Sequence, residues 1–493
     1  MNAAPVRRAT PDGLWSPARR QLTSGLVLTI TLVAFEALAI ATVMPIVVDE
    51  IGGIELYGWV FSAFFLGSLL GIVVVGGVID RGGLVRPYLA GLGLFALGLL
   101  IGGLAPSLPI LIGGRFLQGL GAGATPPIAY VAIGRSLPES LRPRMFATLS
   151  TAWVVPGLIG PAIASFVGEH LSWRAVFLGL LPLIALAAAV TLPSLRGVPP
   201  ADPVEREREH EIAEASSRRL PNAVRMALGA GLLLAGLTWS AAITLPGTGL
   251  EIPAPVAAVA LVVIGIALGV PAFRALTPPG TIVAAAGLPA AILLRGVMTC
   301  MFFAVDAFVP LAIVTARGAG TQIGGLALTG ATLAWTAGAW IQARYAARRG
   351  VSTFVRTGFA IALTGIALFA ATLLPFTPIA LAIAAWSITG FGMGLGYAPL
   401  SLAVLRDAPA ETQGAATSAL QLSDVIGTAL GAGSAGAIVA LGDRLGAPTG
   451  ESLAVAFGGA LAIGLLGVAL AGRLSSRPTA LVERSSSSPA EAI

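Results

Sequence analysis

Long apolar stretches, separated by short polar turns, recur along nearly the whole chain. A helix that crosses the roughly 30 Å hydrocarbon core of a bilayer needs about 20 apolar residues, because each residue rises about 1.5 Å. Hydropathy and turn residues predict fourteen such helices, at about 24–48, 57–79, 88–105, 108–134, 144–168, 173–195, 223–243, 252–272, 288–314, 322–347, 353–374, 377–404, 412–441 and 451–473. The pattern therefore predicts an all-α polytopic membrane protein.

The composition agrees with this prediction and excludes several classes of protein. Of the 493 residues, 56% are hydrophobic and 11% are charged, whereas soluble domains carry about 25% charged residues. All 29 basic residues are arginine, so the chain has no lysine for a phosphate-binding loop or a Schiff base. One cysteine and two histidines are too few for a disulfide framework or a Cys/His metal site, and we expect no metal and no cofactor.

The distribution of arginine predicts how the chain is oriented. Basic residues collect in the cytoplasmic loops of membrane proteins. Most arginines here fall in the two tails and in alternate loops if the N-terminus lies in the cytoplasm. An even number of spans then places both termini in the cytoplasm, and we expect the protein in the cytoplasmic (inner) membrane. The net charge of +6 follows from these dispersed loops, so no nucleic-acid partner is indicated.

One polar interruption, the segment Pro199–Asn222, divides the chain. Six spans precede it, and the last six resemble a diverged copy of them, since Gly119-x-Gly121-x-Gly123-x-x-Pro126 recurs as Gly392-x-Gly394-x-Gly396-x-x-Pro399. Repeated halves predict two bundles that rock around a site at the membrane midplane. The predicted organisation is a cytoplasmic tail (1–23), an N-terminal six-helix bundle (24–195), a cytoplasmic linker (196–222), an inserted helix pair (223–273), a C-terminal six-helix bundle (280–475) and a disordered cytoplasmic tail (476–493).

The turn after the second span carries a recognisable pattern, Gly76-Gly77-Val78-Ile79-Asp80-Arg81-Gly82-Gly83, with Arg86 following. It resembles the loop between the second and third helices of the major facilitator superfamily, G-x-L-a-D-R-x-G-R-K/R, although Leu84 and Val85 replace the trailing basic pair. The resemblance implies a cytoplasmic gate in which Asp80 pairs with an arginine or a helix N-terminus; its residues would be Gly76, Asp80, Arg81, Gly83 and Arg86. An ordinary loop salt bridge is the alternative.

The fourth span contains a charged residue inside an apolar helix. Leu111, Arg115, Gln118, Gly119 and Gly121 stand at the main positions of the same family's second signature. An arginine in hydrocarbon is costly unless it faces a partner or water. We therefore expect Arg115 and Gln118 in the substrate cavity, where Arg115 tunes nearby acids. The alternative is an arginine whose side chain extends to the nearby membrane surface.

The fifth span resembles the family's antiporter signature, g-x-x-x-G-P-x-x-G-G. Gly160 and Pro161 match it, whereas Pro156, followed by Gly157, stands at the position of the leading glycine. Proline removes a backbone donor and small residues let helices approach closely, which suits a moving interface. Kinked packing without a function is the alternative.

The next span favours one branch of the family. It begins Trp173-Arg174-Ala175-Val176-Phe177-Leu178, which resembles the stretch W-R-W-I-F-L-x-N-x-P of the fourteen-helix drug:proton antiporters. The inserted helix pair points to the same branch. The resemblance thus implies the major facilitator fold, with two six-helix bundles and two additional helices between them.

Three acids lie within predicted spans: Glu36, Asp306 and Asp424. At about 1.5 Å per residue, Glu36 and Asp424 fall roughly 15 to 18 Å from the cytoplasmic ends of their helices, near the midplane. Hydrocarbon disfavours a charged carboxylate, so such acids can load and release protons as access alternates. The structural alternative is an acid neutralised by an interhelical hydrogen bond. We favour proton coupling for Glu36 and the structural alternative for Asp424; both remain open for Asp306.

One basic residue shares a helix with one of these acids. Arg295 precedes Asp306 by about 16 Å along the helix axis, too far for a direct pair. Arg295 is assigned to the cavity, where it tunes charge, with extension to the cytoplasmic surface as the alternative. Five tryptophans could supply aromatic walls, although packing or lipid contact is expected for most: Trp153, Trp239, Trp335, Trp340 and Trp386.

The resemblance implies a secondary transporter rather than an enzyme. It would export amphipathic or cationic drug-like compounds in exchange for protons, as a monomer in contact with membrane lipid. An exporter of a lipid or endogenous metabolite would use the same mechanism. A non-translocating membrane receptor or assembly partner is the alternative of another class.

Overall fold

The structure is a computed structural model that describes residues 13–17, 19–82, 84–138, 141–198, 203–240, 243–244, 251–409 and 412–474. Its helices are α1 (Arg20–Ile51), α2 (Tyr57–Gly82), α3 (Val85–Gly103), α4 (Leu108–Ser136), α5 (Arg142–Thr151), α6 (Val154–His170), α7 (Trp173–Leu178), α8 (Leu180–Arg196), α9 (Pro203–Thr238), α10 (Ala254–Leu276), α11 (Leu288–Asp306), α12 (Val309–Leu311), α13 (Thr321–Arg349), α14 (Val351–Ala371), α15 (Ala380–Asp407), α16 (Gln413–Arg444) and α17 (Thr449–Leu470). The described strands are one antiparallel pair, Ile243–Thr244 with Glu251–Ile252.

Among the described residues, eleven stretches are long and apolar enough to cross a membrane. They comprise α1, α2 with the turn before it, α3, α7 with α8, the second half of α9, α10, α11 with α12 and the π-turn Ala312–Ala316, α14, α15, α16 and α17. Helix α4, the pair α5–α6 and helix α13 pack among them. The predicted all-α polytopic architecture is confirmed, and the exact number of fourteen spans stays a prediction.

The helices form two neighbouring groups. In the first, α4 packs against α2 and α3, and α1 packs against α6 and α8. In the second, α15 packs against α13 and α14, and α11 packs against α16 and α17. We call the end that carries the turn between α1 and α2 the upper end, and the end that carries the turn between α2 and α3 the lower end.

Helices α9 and α10 bridge the two groups on one side. They pack against each other, and α9 also contacts α2 and α16. Apolar side chains from all four helices meet in one cluster, with members such as Leu69, Met226, Leu276 and Ile426. The inserted pair therefore covers the line along which α2 meets α16.

Helix α9 is longer than the span predicted from hydropathy. It runs without a break from Pro203 to Thr238, with Pro221 inside it. Glutamate and arginine are strong helix formers, so the charged segment continues the apolar helix instead of separating from it. At the upper end, Trp59 Nε1 donates to Thr238 Oγ1 over 3.1 Å, and the Arg444 guanidinium donates to the Thr238 and Trp239 carbonyls.

Helix α11 ends at Asp306 for a reason that the sequence contains. Proline lacks an N–H group and its ring clashes with the carbonyl four residues earlier. Pro310 stands four residues after Asp306, and the chain passes through Ala307 and Phe308 before it turns helical again at Val309. This break lies at the upper end of the second group.

Candidate functional site

Two charged side chains meet at the centre of the first helix group. Glu36 lies at the middle of α1, and Arg115 lies in the second turn of α4. Arg115 Nη1 donates to Glu36 Oε1, and the exposed fractions of the two side chains are 3% for Arg115 and 0% for Glu36. Arg115 therefore pairs with the acid and does not extend to the membrane surface.

The rest of the Arg115 side chain is also occupied. Its Nη1 donates to Gln118 Oε1 over 2.7 Å, and its Nε donates to the Val60 carbonyl over 3.2 Å. The guanidinium carbon lies 4.4 Å from the centre of the Phe64 ring, within the range of cation–π attraction. Two polar atoms of this cluster, Glu36 Oε2 and Gln118 Nε2, are buried without a hydrogen-bond partner among the described residues.

Glycines explain why Arg115 can reach α2. An added Cβ at Gly119 would overlap the Phe64 carbonyl, and one at Gly123 would overlap the Ser68 carbonyl. Gly67 of α2 meets the Phe116 carbonyl in the same way. The glycine signature thus brings the backbones of α2 and α4 into contact, which places the guanidinium beside Val60 and Phe64.

A second ion pair lies in the other helix group. Arg295 Nε donates to Asp424 Oδ1 over 2.9 Å, and Arg295 Nη1 donates to the Tyr397 carbonyl over 2.6 Å and to Ser401 Oγ over 3.3 Å. The Tyr397 hydroxyl donates to Asp424 Oδ2 over 2.8 Å. These contacts tie α11, α15 and α16 together. Arg295 is buried and does not extend to the lower surface, and Asp424 has the interhelical partners of the structural alternative.

The third acid has a different environment. Asp306 Oδ1 accepts a hydrogen bond from Trp386 Nε1 over 3.2 Å. Among the described residues, Asp306 has no arginine within ion-pair distance, unlike Glu36 and Asp424. Its side chain is partly exposed.

Aromatic rings connect Asp306 to the second ion pair. Phe302 stacks on Trp386 with ring centres 5.1 Å apart, and Trp335 meets Phe302 edge to face at 5.5 Å. Trp335 in turn lies 5.2 Å from the Tyr397 ring. Trp386 and Phe302 are buried, whereas Trp335 and Tyr397 are partly exposed.

The other three tryptophans of the predicted walls lie on the outside. Trp153, Trp239 and Trp340 have exposed fractions of 46%, 38% and 75%. Of the five tryptophans, only Trp335 and Trp386 therefore lie beside an acid or in the aromatic chain that leads to one.

The helix that resembles the antiporter signature lies at the junction of the two groups. Pro156, Gly157, Gly160 and Pro161 are all buried in α6, which contacts α13. An added Cβ at Gly157 would overlap Thr332, and Gly325 lies against Pro161. The small residues of α6 thus pack against α13, and their role in transport stays a prediction.

A group of polar contacts closes the upper end of this junction. Thr321 Oγ1 and Gln322 Nε2 of α13 donate to the Glu169 carboxylate of α6. The Ser165 and Thr321 hydroxyls lie 2.5 Å apart. Nothing in the sequence distinguishes Glu169 from an ordinary loop acid, so this contact was not predicted.

The two groups also meet at the upper end between α2 and α16. Gly58 and Gly436 allow the two backbones into contact, and Ser62 Oγ donates to the Ala429 carbonyl over 2.8 Å. The Tyr57 hydroxyl donates to the Ala307 carbonyl over 3.2 Å, and its ring lies 5.1 Å from the Phe308 ring. In this conformation the upper end is closed by contacts between the groups.

The Trp-Arg pair that resembles the drug:proton antiporters anchors one helix to another. Trp173 Nε1 donates to Glu50 Oε2 over 2.9 Å, and Arg174 forms an ion pair with the same carboxylate. The Arg174 guanidinium lies 4.3 Å from the Trp173 ring centre. The pair therefore holds the start of α7 at the upper end of α1, away from Glu36 and Arg115.

The predicted cytoplasmic gate is only partly visible. Gly83 and the side chains of Asp80 and Arg81 lie outside the described residues, although the backbone of α2, which includes Gly76, is helical to Gly82. Arg86 is exposed in the first turn of α3. Pairing of Asp80 therefore stays a prediction.

Comparison with known proteins shows which families and proteins this chain resembles. The profile of the Major Facilitator Superfamily matches residues 26–432. A Mycobacterium tuberculosis (strain H37Rv) protein named "Probable multidrug-efflux transporter Rv1634" is 30% identical over 448 residues, which are 87% of this chain and 90% of that protein. "Multidrug resistance protein 3" of Bacillus subtilis is 29% identical over 163 residues, 33% of this chain and 32% of that protein.

Solved structures with the same fold are more distant in sequence. An auto-inhibited peptide transporter of the POT family matches with a TM-score of 0.64 and 16% identity, over 94% of this chain and 98% of that one. A POT family transporter in complex with 5-aminolevulinic acid matches with a TM-score of 0.62 and 15% identity, over 92% of this chain and 96% of that one. At these identities the likeness concerns the fold alone.

Proposed function

Because the chain belongs to the Major Facilitator Superfamily and is therefore a multi-pass membrane transporter, we propose that it exports amphipathic, cationic drug-like compounds in exchange for protons. Both termini lie in the cytoplasm and the protein acts as a monomer in the cytoplasmic membrane. The upper end is then the outer face, and the described conformation is closed to the outside. Residues 24–195 and 280–475 are the two halves that move.

The buried pair of Glu36 and Arg115 is the observation that carries this proposal. An ion pair at the middle of a transmembrane helix is costly to desolvate, and such residues commonly mark ion or proton pathways. Protonation of Glu36 neutralises the carboxylate and removes its attraction for Arg115. The guanidinium then keeps only its bonds to Gln118 and the Val60 carbonyl, so one proton changes how α4 is held against α1.

Alternating access also requires contacts that close the outer face reversibly, and the contacts at the upper end can do this. Export needs the outer face to open, and this means that the contacts of Glu169 with α13 and of Tyr57 with Ala307 have to break. These bonds lie at one end of the junction between the groups and involve few residues. A change in the attraction between α1 and α4 can therefore shift the balance between closed and open states without unfolding either half.

The nature of the substrate is supported by charge and by the relatives. Away from their ends, the predicted spans contain three acids and two arginines, and both arginines are already paired with acids. That leaves one acid for a cationic compound. The names of the Mycobacterium tuberculosis and Bacillus subtilis relatives refer to multidrug efflux and multidrug resistance.

Transport by the purified protein in proteoliposomes tests the proposal. An imposed pH gradient should drive cationic compounds against their concentration gradient, and substrate should move protons in return; matched neutral and anionic compounds show whether charge matters. Empty liposomes and Glu36→Gln protein are the controls. Substrate transport at a rate independent of the pH gradient would contradict coupling to protons. Absence of any transport, together with altered membrane lipid in a deletion strain, would favour the lipid exporter.

A further inference from the structure

We propose that Asp306 binds the positive charge of the substrate, in a subsite that Trp386 orients and the ring of Trp335 lines. The inference rests on the proposed function and deepens it, because it assigns cation recognition and proton coupling to different acids. The ligands that fit are amphipathic monocations with aromatic surfaces.

The partners of the three acids within the spans support this division. Glu36 and Asp424 each form an ion pair with a buried arginine. Among the described residues, the only hydrogen bond to Asp306 comes from an indole N–H, which is neutral. A carboxylate in hydrocarbon without a cationic partner is unfavourable, and a cationic ligand would supply that partner.

The rings around Asp306 hold the carboxyl in a defined position. Trp386 is fully buried between Phe302 and Phe369, whose ring centres lie 5.1 and 5.5 Å from it. Because this indole is packed on both sides, its N–H fixes Asp306 Oδ1. Trp386 is a positioning residue and is too deeply buried to contact a ligand itself.

Part of the proposed subsite is left uncovered by neighbouring side chains. Asp306 and Trp335 are both partly exposed, and Phe302 lies between Trp335 and Trp386 in the ring chain. An aromatic face attracts a cation as well as apolar surface, with about 0.5 to 2 kcal/mol for a cation–π contact. The combination of one acid and one accessible indole suits a ligand that is both charged and aromatic.

The position of Asp306 connects this subsite to the closed upper end. Asp306 is the last residue of α11, where Pro310 interrupts the helix, and the next residue accepts the hydrogen bond from Tyr57 of the other group. A ligand that moves Asp306 therefore moves the backbone that Tyr57 holds. Binding of the cation and opening of the outer face share one short segment, Asp306–Phe308.

Equilibrium binding of two ions of the same shape and opposite charge tests the subsite. The probes are tetraphenylphosphonium and tetraphenylborate, titrated into the detergent-purified full chain and corrected for partition into protein-free micelles. Asp306→Asn removes the charge and keeps an oxygen acceptor for Trp386. We expect it to weaken tetraphenylphosphonium binding by about tenfold or more, the equivalent of roughly 1.4 kcal/mol, and to leave tetraphenylborate binding unchanged or stronger.

Two further variants make the result specific. Asp443→Asn makes the same chemical change at an exposed acid and should leave both affinities unchanged. Trp335→Leu removes the accessible ring and should weaken both ions several-fold, and the cation somewhat more than the anion, because only the cation loses a cation–π contact. If Asp306→Asn does not fold, Trp335→Leu and Asp306→Glu still test the subsite, since the glutamate variant should keep the preference for the cation.

The outcomes separate this inference from the proposed function. Equal tetraphenylphosphonium affinity in the parent and Asp306→Asn proteins, with loss of pH-driven transport in the variant, would overturn the inference and make Asp306 a coupling acid. Binding needs no proton gradient. Failure of transport by the parent protein would therefore contradict the proposed function while a charge-selective loss at Asp306 still supported the subsite.

Discussion

The Tyr57 hydroxyl and the Ala307 carbonyl form a hydrogen bond of 3.2 Å between the two helix groups. The bond joins the start of α2 to the break that follows Asp306 in α11. The carbonyl is accessible there because the helix is interrupted between Asp306 and Val309. One bond thus links the closed upper end to the segment that carries Asp306, the acid for which the described residues supply no basic partner.

Loss of this bond should make the upper end easier to open. Tyr57→Phe keeps the ring contact with Phe308 and removes only the donor. A hydrogen bond of this kind contributes about 1 kcal/mol, so the open population should rise about fivefold. Amide hydrogen exchange of the segment 305–311 should become faster. Tyr345→Phe, at an exposed tyrosine, is the matched control, and equal exchange in the two variants would exclude a closing role for Tyr57.

A reversible cross-link at the other junction tests whether the outer face has to open. The Ser165 and Thr321 oxygens lie 2.5 Å apart, a separation that two cysteine sulfurs can bridge. Ser165→Cys with Thr321→Cys, in a chain whose single native cysteine is replaced by Cys300→Ala, should stop transport when oxidised and recover when reduced. Each single cysteine variant is a control. Full transport by the cross-linked protein would refute alternating access through this end.

Glu36 should be essential for coupling rather than for binding. The glutamine side chain in Glu36→Gln cannot bind or release a proton. We therefore expect pH-driven transport to be lost while tetraphenylphosphonium binding remains. The variant also leaves Arg115 buried without a counter-charge, at a cost of about 3 to 5 kcal/mol, and its thermal unfolding temperature should fall. Transport assays and unfolding curves are measured on the same preparation.

The double variant separates these two effects. Glu36→Gln with Arg115→Gln removes both charges, and its unfolding temperature should recover towards that of the parent protein because no unpaired charge stays buried. Coupling should not recover. Restored pH-driven transport in the double variant would show that Glu36 has only a structural role.

The close contact of α2 and α4 should depend on Gly119. A Cβ at this position would overlap the Phe64 carbonyl, so Gly119→Ala has to push the helices apart, at about 1 to 3 kcal/mol. We expect a lower unfolding temperature and a weaker contact of Arg115 with Val60. Gly113 of the same helix has open space where its Cβ would lie, and Gly113→Ala should be neutral or stabilising. Similar unfolding temperatures for the two variants would contradict the packing argument.

Asp424 should contribute to stability and not to coupling. Asp424→Asn weakens its bond with Arg295 and leaves that guanidinium with Tyr397 and Ser401. The unfolding temperature should therefore fall, whereas the ratio of protons to substrate moved in proteoliposomes should stay the same. A changed ratio with unchanged stability would reverse the roles proposed for Asp424 and Glu36.

The sequence predicts the buried state of Arg115 but not its partner. A charge within an apolar helix requires a counter-charge or water, and this rule holds wherever the helix packs. Glu36 is 79 residues away in the sequence, and only the packing of α1 against α4 brings the two together. The same limit applies to Arg295. The sequence shows that Asp306, on the same helix, is too far away for an ion pair, but it does not show that Asp424 of α16 is the partner.

Contacts at the closed end were the least predictable part of the site. Tyr57 is the first residue of α2 and Glu169 lies in the last turn of α6, and neither residue type is unusual at the end of a membrane helix. Their roles arise from the relative position of two helix groups, which differs between the conformations of one sequence. Local rules explain the break before Pro310 and the close approach at the glycines once the structure is known, although the sequence pattern predicted one continuous span over 288–314.

The cover formed by α9 and α10 makes the two flanks of the molecule unlike. One flank, where α2 meets α16, is sealed by protein; the other, where α6 meets α13, presents exposed side chains such as Trp153, Ile159 and Trp340. If a hydrophobic compound enters from the bilayer, the path has to form where α6 separates from α13, because α9 and α10 cover the other flank. Entry of substrate from the lipid would then be limited to the flank of α6 and α13, because α9 and α10 block the opposite flank.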